Sequence, residues 1–362
     1  LFKGPARKLA GLNEINMTAA QYESAFRKKA LVAGYSEENI QKCLSYAIPL
    51  LSKGFPIIYN TTNFAGLVGY NKLYLKKAAL FTASYYRTFK VKKKKKKDYR
   101  EIKEPLPSLK EIQLWILYNI LYQERPSKYA KAYIQKRNLR ENVKFHVGKN
   151  KVLNLDFKHF FPSIKQDAIE KIFLSFGYSS NISNLLSKLC CLDGSLPQGA
   201  PTSPYLSNLY LKTFDEDVFG FCKNKHIRYT RYADDMTFSG DFNELEVINF
   251  IKEKIEDSPL EINDEKTRVM RRNQRQVVTG ILVNDKTQVS KKYRNNIRLE
   301  MYYISKYGIA EHLAKSKNSR ANYLSHLLGK IEYTLHFNPD DVEFLEYRSK
   351  LKQLLPKKQD AE

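Results

Sequence analysis

Apolar residues recur at helical spacing along the first ninety or so positions, and the rhythm predicts helices over Ala19–Ala33, Asn39–Leu51 and Leu67–Tyr86. It then disappears. Phe89–Pro105 is basic and poor in turn residues, with six consecutive lysines at 92–97, and reads as a solvated loop or as a surface for phosphate. A helix, Leu109–Leu121, follows Pro105 and Pro107 and ends before Pro126. From Lys151 the pattern shortens to an apolar strand, Val152–Asp156, followed by a Phe-Phe-Pro turn and a helix from near Gln166. Helices over Ile182–Cys191 and about Pro204–Lys223 flank a Gly- and Pro-rich turn. Arg228–Tyr232 and Met236–Ser239 read as strands separated by Ala-Asp-Asp, the spacing of a hairpin. A helix over Asn243–Glu256, a strand around Val277–Val283 and basic helices from about Lys291 complete the pattern.

Length and charge sharpen this picture. A chain of 362 residues suggests two or three structural units. Sixty-two Lys and Arg against 38 Asp and Glu leave a formal charge of +24, which points to a polyanionic partner. No stretch approaches the roughly 20 apolar residues that a spanning helix requires, so no membrane partner and a cytoplasmic protein are expected. The chain begins Leu1-Phe2-Lys3-Gly4, which lacks a secretory pattern but leaves open what precedes it. Cys43, Cys190, Cys191 and Cys222 have no metal-site spacing and read as buried thiols in a reducing compartment.

Against that basic background, a few carboxylates stand out. Phosphoryl transfer assisted by two metal ions needs acidic side chains that converge from separate backbone segments. Asp156 ends one strand, and Asp234 with Asp235 occupy the tip of a hairpin. Tyr232-Ala233-Asp234-Asp235 alone would occur by chance in roughly one chain in twenty, and aspartates are ordinary turn residues. Here, however, Asn154-Leu155-Asp156, Phe160-Phe161-Pro162-Ser163 and Leu196-Pro197-Gln198-Gly199-Ala200-Pro201-Thr202-Ser203-Pro204 precede it in that order.

With these motifs together, the sequence resembles the reverse transcriptases over roughly residues 85–335. The resemblance implies that Asp156, Asp234 and Asp235 are catalytic and hold two Mg²⁺ ions, or Mn²⁺ in their place, with the backbone carbonyl of Phe157. It places Gln198 and Gly199 beside the incoming nucleotide. Lys266 would lie near the departing pyrophosphate, with a solvated loop lysine as the alternative. Arg100 would clamp the triphosphate, a role that suits a planar guanidinium. Phe161 would lie under the sugar and select deoxynucleotides, although either Phe160 or Phe161 belongs in the core. The implied fold is α+β, a right-hand polymerase. Its parts would be a helical extension over 1–84, fingers over 85–150, a palm over 151–290 with a fingers segment near 164–200, and a helical thumb with a basic tail over 291–362.

Two further boxes narrow the resemblance. Asn142-Val143-Lys144-Phe145-His146 is similar to the Asn-Ala-x-x-His box of retron reverse transcriptases, with Val143 in place of Ala, and Val278-Thr279-Gly280 matches their Val-Thr-Gly box. Asn142, His146, Tyr232, Val278, Thr279, Gly280, Arg294 and Arg298 are accordingly candidates for nucleic-acid contact, while a hydrogen-bonded structural role for His146 stays equally open. The retron resemblance implies a cognate structured noncoding RNA as template and primer, dNTPs, a DNA product, and an effector or toxin partner in antiphage defence. A related bacterial defence or group II intron-like enzyme, an RNA-dependent RNA polymerase and a catalytically inactive RNA-binding scaffold remain the alternatives. Three intact aspartates in a basic protein argue against the last.

Overall fold

The computed structural model describes residues 18–92, 99–316, 320 and 322–355. In chain order its helices are α1 (Ala19–Val32), α2 (Glu37–Ser52), α3 (Thr61–Val68), α4 (Lys72–Leu80), α5 (Pro107–Asn119), α6 (Leu139–Val143), α7 (Phe160–Ser163), α8 (Gln166–Phe176), α9 (Ser180–Cys190), α10 (Ser203–Tyr210), α11 (Lys212–Asn224), α12 (Glu244–Ile255), α13 (Lys291–Ser316), α14 (Tyr323–Phe337) and α15 (Val342–Leu354). The strands are β1 (Tyr86–Lys92), β2 (Tyr99–Pro105), β3 (Lys151–Asp156), β4 (Arg228–Tyr232), β5 (Asp235–Gly240), β6 (Arg268–Arg271), β7 (Val277–Val278) and β8 (Ile281–Leu282). The α+β class expected from the sequence is the one observed.

Two compact units share the chain. The first takes the described parts of Leu1–Ile134, Phe157–Val218 and Asn249–Ile262; the second takes Gln135–Asp156, Phe219–Ile248 and the described parts of Asn263–Glu362. In the first, polar caps start the helices. The Thr18 hydroxyl and Gln21 form a capping box on α1, and Asn60 and Asn71 cap α3 and α4. Gly69, left-handed at φ 76°, closes α3. The single helix expected over Leu67–Tyr86 is therefore two helices and a short turn, because Gly69 ends one and Asn71 begins the next. The expected helix from Pro204 likewise divides at Leu211 into α10 and α11.

Phe89–Pro105 is not a loop along its described length. Tyr86–Lys92 pairs antiparallel with Tyr99–Pro105, Lys92 opposite Tyr99. The strand β1 is exposed on both faces after Tyr86, so it carries no apolar alternation to betray it. The remaining lysines of the run, 93–97, and the basic tail beyond residue 355 lie outside the described residues.

In the second unit a four-stranded antiparallel sheet has the order β4–β5–β3–β6. Strand periodicity puts Val152, Asn154 and Asp156 on one face of β3 and Leu153 and Leu155 on the other. Val152 packs with Val143, Val278, Ile281, Val283, Val289 and Phe337. The strand expected around Val277–Val283 is a hairpin of two short strands, β7 and β8, and β6, whose charged sequence concealed it, completes the sheet. A separate core of Ile297, Met301, Ile304, Leu327, Ile331 and Phe344 joins α13, which is interrupted at Gly308, to α14 and α15. Among the described residues no helix is long and apolar enough to cross a membrane. All four cysteines are free thiols; burial pushes Cys190 and Cys222 up to about 12.

Candidate active site

Sheet register brings the acidic residues together. Asp156, the last residue of β3, lies directly opposite Asp235, the first residue of β5, and Asp235 also pairs with Tyr232 at the end of β4. Ala233 and Asp234 connect β4 to β5. Ala233 is left-handed at φ 60°, and the fully buried Arg231 guanidinium donates to its carbonyl at 2.9 Å, which fixes the turn. Asp156 is held from the other side: its carbonyl accepts from Asn263 N at 2.7 Å, and Lys266 Nζ donates to its Oδ1 at 2.6 Å.

The electrostatics follow from this crowding. Burial pushes the Asp235 carboxyl up to about 7, and the charges of Asp156 and Asp234 add to the shift while Lys266 opposes it. Asp156 is also raised, first by burial and then by Asp234, against the Lys266 hydrogen bond. Among the described residues no group of three or more His, Cys, Asp or Glu side chains is arranged to hold a metal ion, and the Lys266 ammonium stands on Asp156. The donor chemistry nonetheless fits a hard divalent cation. Three carboxylates offer oxygen ligands, and two of them carry repulsion and burial that added positive charge would offset.

The other sequence candidates divide between the two units. In the first, Lys103 N donates to the Gln198 carbonyl at 2.9 Å, so the Leu-Pro-Gln-Gly turn is seated on β2, the strand that carries Arg100. Gly199, at φ 135°, is required there, because a Cβ would stand 2.5 Å from the Lys103 carbonyl oxygen. Phe160 is buried and stacks on Phe157 at 5.8 Å, whereas Phe161 is only half-buried, which resolves which ring belongs to the core. The Phe157 backbone bridges to Ile262.

In the second unit several expected nucleic-acid contacts prove to be interior. His146 is fully buried, with Nδ1 2.7 Å from Ser239 Oγ and Nε2 2.8 Å from Thr230 Oγ1, so it ties β4 to β5. Asn142 and Val278 are also fully buried, while Lys144, Phe145 and Gly280 are exposed and Thr279 is half-buried. Arg298 makes a bidentate pair with Glu343, Nε to Oε1 at 2.7 Å and Nη2 to Oε2 at 2.6 Å, which joins α13 to α15. Arg294 is half-buried, and its Nε has no hydrogen-bond partner. Sequence reasoning passed over Arg231 and Asn154. The available signal was an amide in an apolar strand two positions before Asp156, and an arginine three positions before Asp234.

The model of the family described as "Reverse transcriptase (RNA-dependent DNA polymerase)" matches residues 91–327. The retron Ec86 reverse transcriptase of Escherichia coli is 34% identical over 230 residues, covering 62% of this chain and 72% of the relative. The retron Mx65 reverse transcriptase of Myxococcus xanthus is 32% identical over 286 residues, covering 74% of this chain and 64% of that one. Among solved structures, telomerase from Candida albicans aligns with 11% identity and a TM-score of 0.42 over 77% of this chain and 62% of its own. The opposed aspartates of β3 and β5 thus lie inside a family match that spans most of the chain, and the protein belongs to the reverse transcriptases, an RNA-directed DNA polymerase of retron-like type.

Proposed function

We propose that the chain copies a cognate structured noncoding RNA into DNA, extending a primer hydroxyl with dNTPs, in the manner of a retron enzyme acting in antiphage defence. The observation that carries the reading is the facing of Asp156 and Asp235 across the β3–β5 ladder, with Asp234 in the adjoining turn. Asp156, Asp234 and Asp235 would hold the divalent ions, two Mg²⁺ or Mn²⁺, with the Phe157 carbonyl as a further oxygen. Bound there, the ions supply positive charge for the attacking oxygen and the triphosphate.

The protein's own groups do the rest. Buried Arg231 and the β4–β5 turn keep Asp234 and Asp235 on stiff backbone. Lys266 orients the Asp156 carboxylate and brings an ammonium to the side where pyrophosphate departs. Arg100, Gln198 and Gly199 share the seating of β2 on the Leu-Pro-Gln-Gly turn and serve the nucleotide. Half-buried Phe161 acts as the sugar gate. In this reading residues 85–150 are fingers, 151–290 palm and 291–362 thumb, with 1–84 a helical extension. The protein works in the cytoplasm beside an effector or toxin protein.

The test is to sequence the nucleic acid that copurifies with the full chain. A single structured RNA joined to DNA complementary to part of it is the expected result. Unselected cellular RNA without attached DNA would overturn the retron reading.

A further inference from the structure

The Asn142–His146 and Val278–Gly280 boxes meet each other. Asn142 Nδ2 donates to Thr279 Oγ1 at 3.4 Å across 137 residues of chain. Thr279 has φ 45°, a left-handed conformation that a β-branched residue rarely adopts, and Gly280 follows at φ 88°. Two successive positive φ angles let a two-residue turn follow the twist of β7 and β8. Asn or Gly would fill the first of these positions without strain. A Cβ at Gly280 would meet nothing within 4 Å, so the backbone there is open to approach.

What the threonine adds is a hydroxyl held from within. Asn142 is fully buried, and its Oδ1 has no hydrogen-bond partner, so the amide is an expense to the core that its bond to Thr279 partly offsets. Two more amides fasten the same hairpin. Asn154 Nδ2 donates to the Val277 carbonyl at 3.0 Å, and Gln276 Nε2 donates to the Lys149 carbonyl at 2.9 Å. Asn154 shares a face of β3 with Asp156, about 6 to 7 Å along the strand. The hairpin is thereby tied to the backbone that ends in the catalytic carboxylate.

We propose that Asn142 is a positioning residue for polymerisation: through Thr279 it fixes the Thr279–Gly280 turn relative to Asp156, and so sets where the sugar-phosphate backbone of the growing strand rests. This rests on the polymerase reading given above. A displaced turn would misplace the reacting hydroxyl while leaving the residues that bind the nucleotide untouched. The loss should therefore fall on kcat and on primer-template affinity, not on the KM for dNTP.

The experiment is a double-mutant cycle of Asn142→Ala and Thr279→Val in the full chain, with Thr279→Ser as the variant that keeps the hydroxyl. The valine retains the shape and the backbone strain, so it keeps the test available if Asn142→Ala fails to fold. Single-nucleotide extension of a DNA primer on an RNA template in Mg²⁺ gives kcat and KM, and hydrogen exchange reads the amides of residues 277–282. Each single variant should lose about ten- to a hundredfold in kcat, with the KM for dNTP within about twofold. The double variant should be no worse than either, Thr279→Ser should match wild type, and exchange over 277–282 should quicken in Asn142→Ala. Additive losses, a loss confined to the KM for dNTP, or an Asn142→Ala variant equal to wild type would overturn the inference alone. A wild-type chain that extends no primer would overturn the polymerase reading and this inference with it.

Discussion

Replacing Asp235 by Asn should stabilise the metal-free protein at alkaline pH while removing its activity. Asp235 stands opposite Asp156 in the sheet, and its carboxyl is pushed from 3.8 up to about 7, first by burial and then by the charges of Asp156 and Asp234. Each pH unit of such a shift corresponds to about 1.4 kcal/mol, so full ionisation in the fold costs roughly 4 kcal/mol. Relaxation of the surrounding carboxylates and partial solvent screening reduce the net effect to about 2 kcal/mol. The folded pKa lies above the unfolded one, so the folded state binds the extra proton between about pH 4 and pH 7. Stability therefore falls as pH rises through that window and levels off above it. Asn has no charge to desolvate and escapes the loss. Denaturant unfolding with EDTA at about pH 4 and about pH 8 measures it: the advantage of Asp235→Asn over wild type should widen by about 2 kcal/mol at the higher pH. Parallel pH profiles for the two proteins, or a gap that narrows with pH, would refute the reasoning.

Three other substitutions probe the supports of the site. Gly199→Ala drives a Cβ to 2.5 Å from the Lys103 carbonyl at φ 135° and should cost at least about 2 kcal/mol while raising the KM for dNTP, measured by unfolding and by steady-state extension. His146→Leu leaves the Ser239 and Thr230 hydroxyls without the ring nitrogens and should cost about 2 to 4 kcal/mol; a melting temperature equal to wild type would show that the ring ties no strands together. Phe161→Ala should raise the ratio of ribonucleotide to deoxynucleotide kcat/KM by about tenfold or more, and a wild type that already accepts both equally would remove the gate assignment.

The candidate aspartates were legible in the sequence because the chemistry needs particular residue types at the ends of strands, and short strand-like runs bounded them. Their supports were not. The partners of His146 lie 84 and 93 residues away, so whether it met RNA or the core depended on tertiary contacts that no local pattern encodes. Arg298 read as a phosphate ligand because a basic residue on a helix looks free until Glu343 arrives from another helix. The ribbon of β1 and β2 stayed hidden because its pairing is a matter of backbone, without a buried face to write a period of two. The break between α3 and α4 was readable after all. Gly69 and Asn71 are a helix terminator and a helix cap, and apolar periodicity across them outweighed the two small signals.

The central claim is that the aspartates of β3, β5 and their turn carry nucleotide addition. Mg²⁺-dependent incorporation of one deoxynucleotide on an RNA template, compared between wild type and the Asp234→Asn/Asp235→Asn double variant, tests it most directly when both proteins are shown by thermal melting to be folded. The account predicts incorporation by wild type and none by the double variant, which melts at the same temperature or higher because like charges have been removed from a buried site. Incorporation that persists in the folded double variant would contradict the assignment of the site.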